Sequence, residues 1–150
     1  MVTFIPPFVS AETAAWGKEL ETSIFNAKTS AEMERLGKEH VALHGPAPIA
    51  TLAQVADHIE HIARVAGHDH VGIGSDFYGS TDEPSGLADV SRFPDLFAEL
   101  IRRGWSDSDL EKLASGNVLR TLRGAEVVAS RLAASRRPST AAIEELDRRP

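Results

Sequence analysis

The chain has 150 residues, 42% of them hydrophobic and 25% charged, which suits one soluble globular domain and excludes disordered, collagen-like and low-complexity classes. Its 16 basic and 22 acidic residues leave a net charge of −6, and this argues against a nucleic-acid partner, which would call for a basic surface excess. The absence of cysteine removes any disulfide framework or thiolate site and fits a cytoplasmic setting, and no apolar run approaches the roughly 20 residues of a membrane span.

In chain order, Val2 to Ile5 is a β-branched and aromatic run closed by Pro6-Pro7, and it reads as a strand at 2–5. A strand this close to residue 1 reads as a chain beginning in mid-fold. Ser10 suits the cap of a helix with Ala14, Ala15 and Leu20 among its apolar positions. Ser30 offers a second start, followed at helical spacing by Met33, Leu36, His40 and Val41. Gly45-Pro46-Ala47-Pro48 breaks the chain. Thr51 and Gln54 form a capping box for the clearest helix, whose apolar face carries Leu52, Val55, Ala56, Ile59, Ile62, Ala63 and Ala66. Gly67 closes it as a left-handed cap.

The run His70 to Asp76 reads as a short strand, with Val71 and Ile73 on one face and Gly72 and Gly74 on the other. A helix ending in glycine and feeding such a strand is the second half of a βαβ unit, and the strand at 2–5 is its first half. A polar loop spans 77–90. Pro94 then starts a helix with Phe93, Leu96, Phe97, Leu100 and Ile101 on one side, ended by Gly104. Ser106 and Asp109 fit a further capping box, with Trp105 placed to pack on Leu110. Asn117 caps a last helix that stops at Pro138, and 139–150 is a polar tail with helical pattern at 140–148. The basic residues Arg131, Arg136, Arg137, Arg148 and Arg149 alternate with Glu144, Glu145 and Asp147, as on a solvated helix end.

Two parallel strands among five or six helices cannot cover both sheet faces or satisfy both edges. The fold is therefore incomplete in these residues, or a partner completes it. Asp76 stands at the carboxyl end of its strand, where the reacting groups of α/β barrels sit. A carboxylate there can orient a histidine, position a water or act as general base. The alternative is an Asx turn before Phe77.

Three stretches carry a specific resemblance. They are Thr51-Leu-Ala-Gln-Val-Ala-Asp-His-Ile-Glu-His-Ile followed by Val65 to Gly79, then Asp89 to Trp105, and then Leu113-Ala-Ser-Gly-Asn-Val-Leu-Arg. Together they resemble the C-terminal region of the membrane (renal) dipeptidase family, over residues 1 to about 130. The resemblance implies an α/β fold, the last two strands and trailing helices of a (β/α)₈ barrel, incomplete in this chain. Residues 1–135 would be the barrel portion and 136–150 the tail. The implied activity is hydrolysis of dipeptide amide bonds by an enzyme with two zinc ions. Asp76 falls on the aspartate of the family's Gly-x-Gly-Ser-Asp-Phe motif, the implied catalytic residue. Tyr78 replaces the usual aspartate before glycine, and Ile5 stands where relatives often carry a tyrosine; both are the implied substrate-facing positions.

The family's zinc ligands, a His-x-Asp pair, a bridging glutamate and two histidines, lie N-terminal to the matched region. No zinc is thus expected to bind at a family site in this chain, and a dipeptide would be its substrate only once the N-terminal part is supplied. The local histidines are poor replacements. His58 and His61 share a face with Asp57 and Glu60, where an Asp57–His61 ion pair is expected; His68 and His70 bracket Asp69; His40 and His44 adjoin the helix break. Each pair lacks the third and fourth ligands that zinc requires. The contrasting expectation is a non-catalytic module that self-associates as a homo-oligomer through the apolar faces of Leu52–Ala66 and Phe93–Ile101.

Overall fold

The structure, a computed structural model, describes residues 1–79 and 82–146. Ser80, Thr81, Asp147, Arg148, Arg149 and Pro150 lie outside the described residues, and so do the end of the helical pattern expected at 140–148 and the Arg148–Arg149 part of the basic run. Residues Met1–Asn117 form one compact unit and Val118–Pro150 a second.

Helices dominate the first unit. After a single turn, α1 (Pro6–Val9), come α2 (Ala11–Asn26), α3 (Ser30–His44), α4 (Leu52–Ala66), α5 (Phe93–Arg102) and α6 (Asp107–Glu111). A π-type turn over Lys112–Gly116 leads into α7 (Asn117–Ser135), and the tail holds one turn, α8 (Ile143–Leu146). The caps follow the side-chain chemistry. Ser10 accepts from the Thr13 amide, and Thr29, rather than Ser30, accepts from the Glu32 amide to start α3. Thr51 and Gln54 make both halves of the expected capping box on α4. Gly67 has φ +91° and ψ 153°, a positive φ that suits glycine but an extended ψ, so this cap is not left-handed helical.

The two expected strands are not formed as strands. Among the described residues, β pairing is confined to isolated parallel bridges, Val2 with Ile73 and Thr51 with Ser85. Around the first, the Val2 amide donates to the Gly72 carbonyl at 2.7 Å, Gly74 donates to Val2 at 2.9 Å, and Phe4 donates to Ser75 at 3.0 Å. The pairing stops for local reasons. Pro6 fixes φ and opens the α1 turn, ending the first segment. On the other side His68–His70 coil into a 3₁₀ turn, so His70 is not part of an extended run, and Asp76 breaks it with φ +59°. The second bridge lies in what reads as a polar loop. There Leu52 donates to Ser85 at 2.9 Å and Ser85 to Ala50 at 2.8 Å, beside the buried Pro84 and Leu87.

The core joins these pieces. Val2, Phe4 and Val71 from the paired segments meet Val55, Ala56, Ile59 and Ala63 of α4 and Leu96 and Leu100 of α5, with Leu87, Trp105 and Leu113 completing it. Much of the apolar faces of α4 and α5, expected as self-association surfaces, is buried here within one chain, while Ile101 at the end of the second face stays exposed. Arg103 ties the same two helices at their polar margin, reaching Glu99 at 2.6 Å, Asp57 at 2.6 Å and Glu60 at 2.8 Å. Asp57 therefore pairs with Arg103 rather than with His61, because the guanidinium fork binds several carboxylates at once. Burial works against the Arg103 charge, but the hydrogen bonds to Glu99, Asp57 and Glu60 outweigh it and raise its pKa further.

Asn117 is not the cap that its position suggests. Its buried amide Nδ2 donates to the carbonyls of His68 (2.7 Å) and Val71 (2.8 Å), clamping the start of the extended segment. Asn117→Ala leaves the Val71 carbonyl buried without this donor and is expected to cost about 2–3 kcal/mol. Urea denaturation checks it; a loss below about 0.5 kcal/mol would show that the clamp adds nothing to stability. Trp105 stacks on His68 (ring centroids 4.5 Å, 12°), and His68 Nδ1 lies 2.9 Å from Asp109 Oδ1, which braces the same turn from α6.

Candidate functional site

The segment from Val71 to Ser75 delivers Asp76 to the surface at the end of its pairing with Val2 and Phe4. A non-glycine residue at φ +59° is uncommon, although aspartate tolerates it better than most. The Asp76 carbonyl accepts from the Gly79 amide at 2.9 Å and closes a tight turn. Its carboxylate folds back over that turn, so that a Cβ built on Gly79 would lie 2.6 Å from Asp76 Oδ2. Only glycine at 79 leaves room for the carboxylate in this position. The turn reading and the site reading of Asp76 thus describe the same geometry from two sides. Such strained backbone is often found at functional positions.

Asp76 is exposed and lies on an open concavity of about 500 Å³, together with Ile73, Gly74 and Ser75 of its own segment. Val90, Phe93, Phe97 and Ala114 form the opposite wall. Phe77 leaves the turn inward, packing 5.7 Å from Phe4 and 5.9 Å from Phe93 between ring centroids. Tyr78 goes the other way. It is fully exposed and lines neither concavity.

Ile5 lies half-buried on a different and larger cleft, about 750 Å³, between α1, α2 and the break that follows α3. Pro6, Pro7, Trp16, Pro46 and Pro48 make up much of its wall, and Asp82 and Glu83 stand on its rim. The Trp16 indole Nε1 donates to Gly45 at 3.1 Å, and the Thr13 hydroxyl donates to Pro48 at 3.1 Å, which fixes the walls to each other. Glu83 has its pKa raised, chiefly by burial, then by the charges of Asp82 and Asp76. Asp76 and Ile5 therefore face separate concavities. Sequence reading missed Trp16, Asp82 and Glu83. The acidic pair before Pro84 was the available signal, but nothing local connects it to Trp16.

Among the described residues, no group of three or more histidines, aspartates or glutamates is placed to hold a metal ion. His40 Nε2 is 2.8 Å from the Trp16 carbonyl, His44 faces Glu19 and His68 faces Asp109, so these rings serve local contacts. Among the described residues, no helix is long and apolar enough to cross a membrane.

Comparisons with known proteins converge. The sequence profile of the family described as membrane dipeptidase (peptidase family M19) matches residues 1–136. The dipeptidase aclJ of Aspergillus oryzae is 52% identical over 87 residues, 58% of this chain and 21% of that protein. The dipeptidase ataJ of Aspergillus terreus is 53% identical over 81 residues, 54% of this chain and 20% of that one. Among solved structures, the probable dipeptidase PvdM from Pseudomonas aeruginosa superposes with a TM-score of 0.58 at 26% identity, covering 79% of this chain and 34% of PvdM. The matched part of the chain thus spans about a fifth of the length of these curated relatives.

Proposed function

Because the chain belongs to the membrane dipeptidase family, we propose that residues 1–135 are the C-terminal portion of a dipeptide-hydrolysing (β/α)₈ barrel, with 136–150 as its tail. The segments around Val2 and Ile73 would be its last two strands. One observation carries the reading: the parallel Val2–Ile73 bridge ends, a few residues on, in the constrained Asp76. In a barrel completed by the remaining strands, each exposed edge of this short pairing gains a neighbour. Asp76 then stands at the carboxyl-end rim, where it accepts a proton from the attacking water and returns it to the departing amine. Ile5 and Tyr78 are proposed to face the substrate only in that completed barrel, since here Ile5 lines a cleft separate from Asp76 and Tyr78 lines neither.

Among the described residues no group of three or more histidines, aspartates or glutamates is placed to hold a metal ion, and in this reading the completed enzyme draws its zinc ligands from outside them. The expected result is that the purified chain, supplied with zinc, releases no amino acids from a dipeptide. Turnover should arise when the chain is combined with a family segment carrying the zinc-binding strands. Chelator-sensitive hydrolysis by the chain alone would overturn the reading.

A further inference from the structure

Many serine and threonine hydroxyls of the described residues are committed to the fold. Ser10, Thr29, Thr51 and Ser106 cap helices, and Thr22 and Ser23 donate back to carbonyls within α2. Ser139 is different. It lies in the irregular stretch 136–142 between α7 and α8, exposed together with Arg136, Arg137, Pro138 and Thr140. Its hydroxyl oxygen accepts from the Ala141 amide at 3.3 Å, a contact that leaves the O–H able to donate. Pro138 cannot continue α7, and it biases Arg137 toward extended backbone. Arg136 and Arg137 thus stand three and two residues before an accessible hydroxyl on a non-helical chain. Protein kinases choose among substrates by charge pattern, and carboxylates in an acidic substrate groove select arginines ahead of the hydroxyl. The same pattern recurs at Arg102 and Arg103, four and three residues before Ser106. There the fold disables it. The Ser106 hydroxyl donates to Asp109 Oδ2 at 2.6 Å while capping α6, and Arg103 is held by Glu99, Asp57 and Glu60. The sequence carries this charge pattern twice, and the structure leaves the copy at Ser139 accessible.

We propose that Ser139 is a phosphorylation site, read through Arg136 and Arg137 by a serine/threonine kinase with an acidic substrate groove. The phosphoryl donor is a nucleoside triphosphate. Ser139 Oγ forms a bond to the γ-phosphorus, and the bond from that phosphorus to the β,γ-bridging oxygen breaks. The nucleoside diphosphate leaves, and the hydroxyl proton passes to the catalytic carboxylate of the kinase. The product carries about −1.5 to −2 charge beside two guanidiniums, so a basic stretch becomes roughly neutral. The inference is independent of the barrel reading, because it uses neither Asp76 nor any metal.

The test is incubation of the intact chain with magnesium ATP and the catalytic subunit of the cyclic-AMP-dependent protein kinase, an enzyme that selects basic substrates. One phosphoryl group per chain is expected, mapped to Ser139 by fragment mass spectrometry, and Ser139→Ala is expected to abolish it. Arg136→Ala and Arg137→Ala are each expected to lower kcat/KM for phosphorylation about tenfold or more. A proline-directed kinase is expected to leave Ser139 unmodified, because Thr140 follows it. Equal rates for the wild type and the two arginine variants would overturn the proposal. So would a phosphate found on Ser106 with Ser139 unmodified, or no incorporation at Ser139 at all.

Discussion

Phe4→Ala is expected to destabilise the chain by about 3–5 kcal/mol, a large part of the stability of a domain of this size. Phe4 is completely buried, and its ring makes edge contacts with Phe77 at 5.7 Å and Phe93 at 6.0 Å between centroids. Those two rings belong to the turn after Asp76 and to the start of α5. Phe4 is therefore the point where the first extended segment, the Asp76 turn and a helix are packed on one another. Removing the ring leaves a cavity that these parts fill only by moving, and it forfeits aromatic pairs of about 0.5–1.5 kcal/mol each. Phe25, which is 88% exposed, is the internal control, and Phe25→Ala is expected to change stability by less than about 0.5 kcal/mol. Urea midpoints for both variants decide the matter. Comparable losses in the two would mean that Phe4 is not a core residue.

Asp76→Asn is expected to leave the fold intact and, if the proposed barrel reading holds, to lower kcat about 10²- to 10⁴-fold when the chain is combined with a family segment carrying the zinc-binding strands. The design of the variant matters more than its size. Asparagine tolerates the positive φ at 76 and preserves the main-chain hydrogen bond from Gly79, but its amide cannot take up a proton. A residue that only shapes the turn would survive this change with stability and rate both near normal. A proton-handling carboxylate would not. Retention of activity within about threefold, with an unchanged urea midpoint, would reduce Asp76 to a turn residue.

The helices are legible in the sequence because each is specified within a few residues. Ser10, Thr51 with Gln54, and Ser106 announce the starts of α2, α4 and α6 by side-chain oxygens that satisfy free amides. The spacing of apolar residues along α4 and α5 is enough to name half of the core. What fails is non-local. Val2 to Ile5 is extended, as its β-branched and aromatic residues require, yet a strand needs a ladder, and these residues supply only one bridged pair. Ser85, between Pro84 and Gly86, reads as a turn, although its partner near Thr51 makes it half of a bridge. Asn117 looks like a cap because asparagine usually caps a helix when it begins one; here it reaches back to residues 68 and 71. At the candidate site, Asp76 is legible from the strand end and the family motif. The cleft is not, since Trp16 and Glu83 lie far apart in the chain.

The Val2–Ile73 bridge also has a kinetic side. Its two halves are separated by about 70 residues, and closing a flexible loop of that length costs roughly 4 kcal/mol of chain entropy before the contact gives anything back. Between them lie α2, α3 and α4, all held by nearest-neighbour hydrogen bonds and caps, which form quickly and independently of the bridge. Once helical, these residues behave as short rods joined by brief links, and the distance to be searched shrinks. The pairing that carries Asp76 is therefore expected to form late when the chain folds, after the helices it waits on.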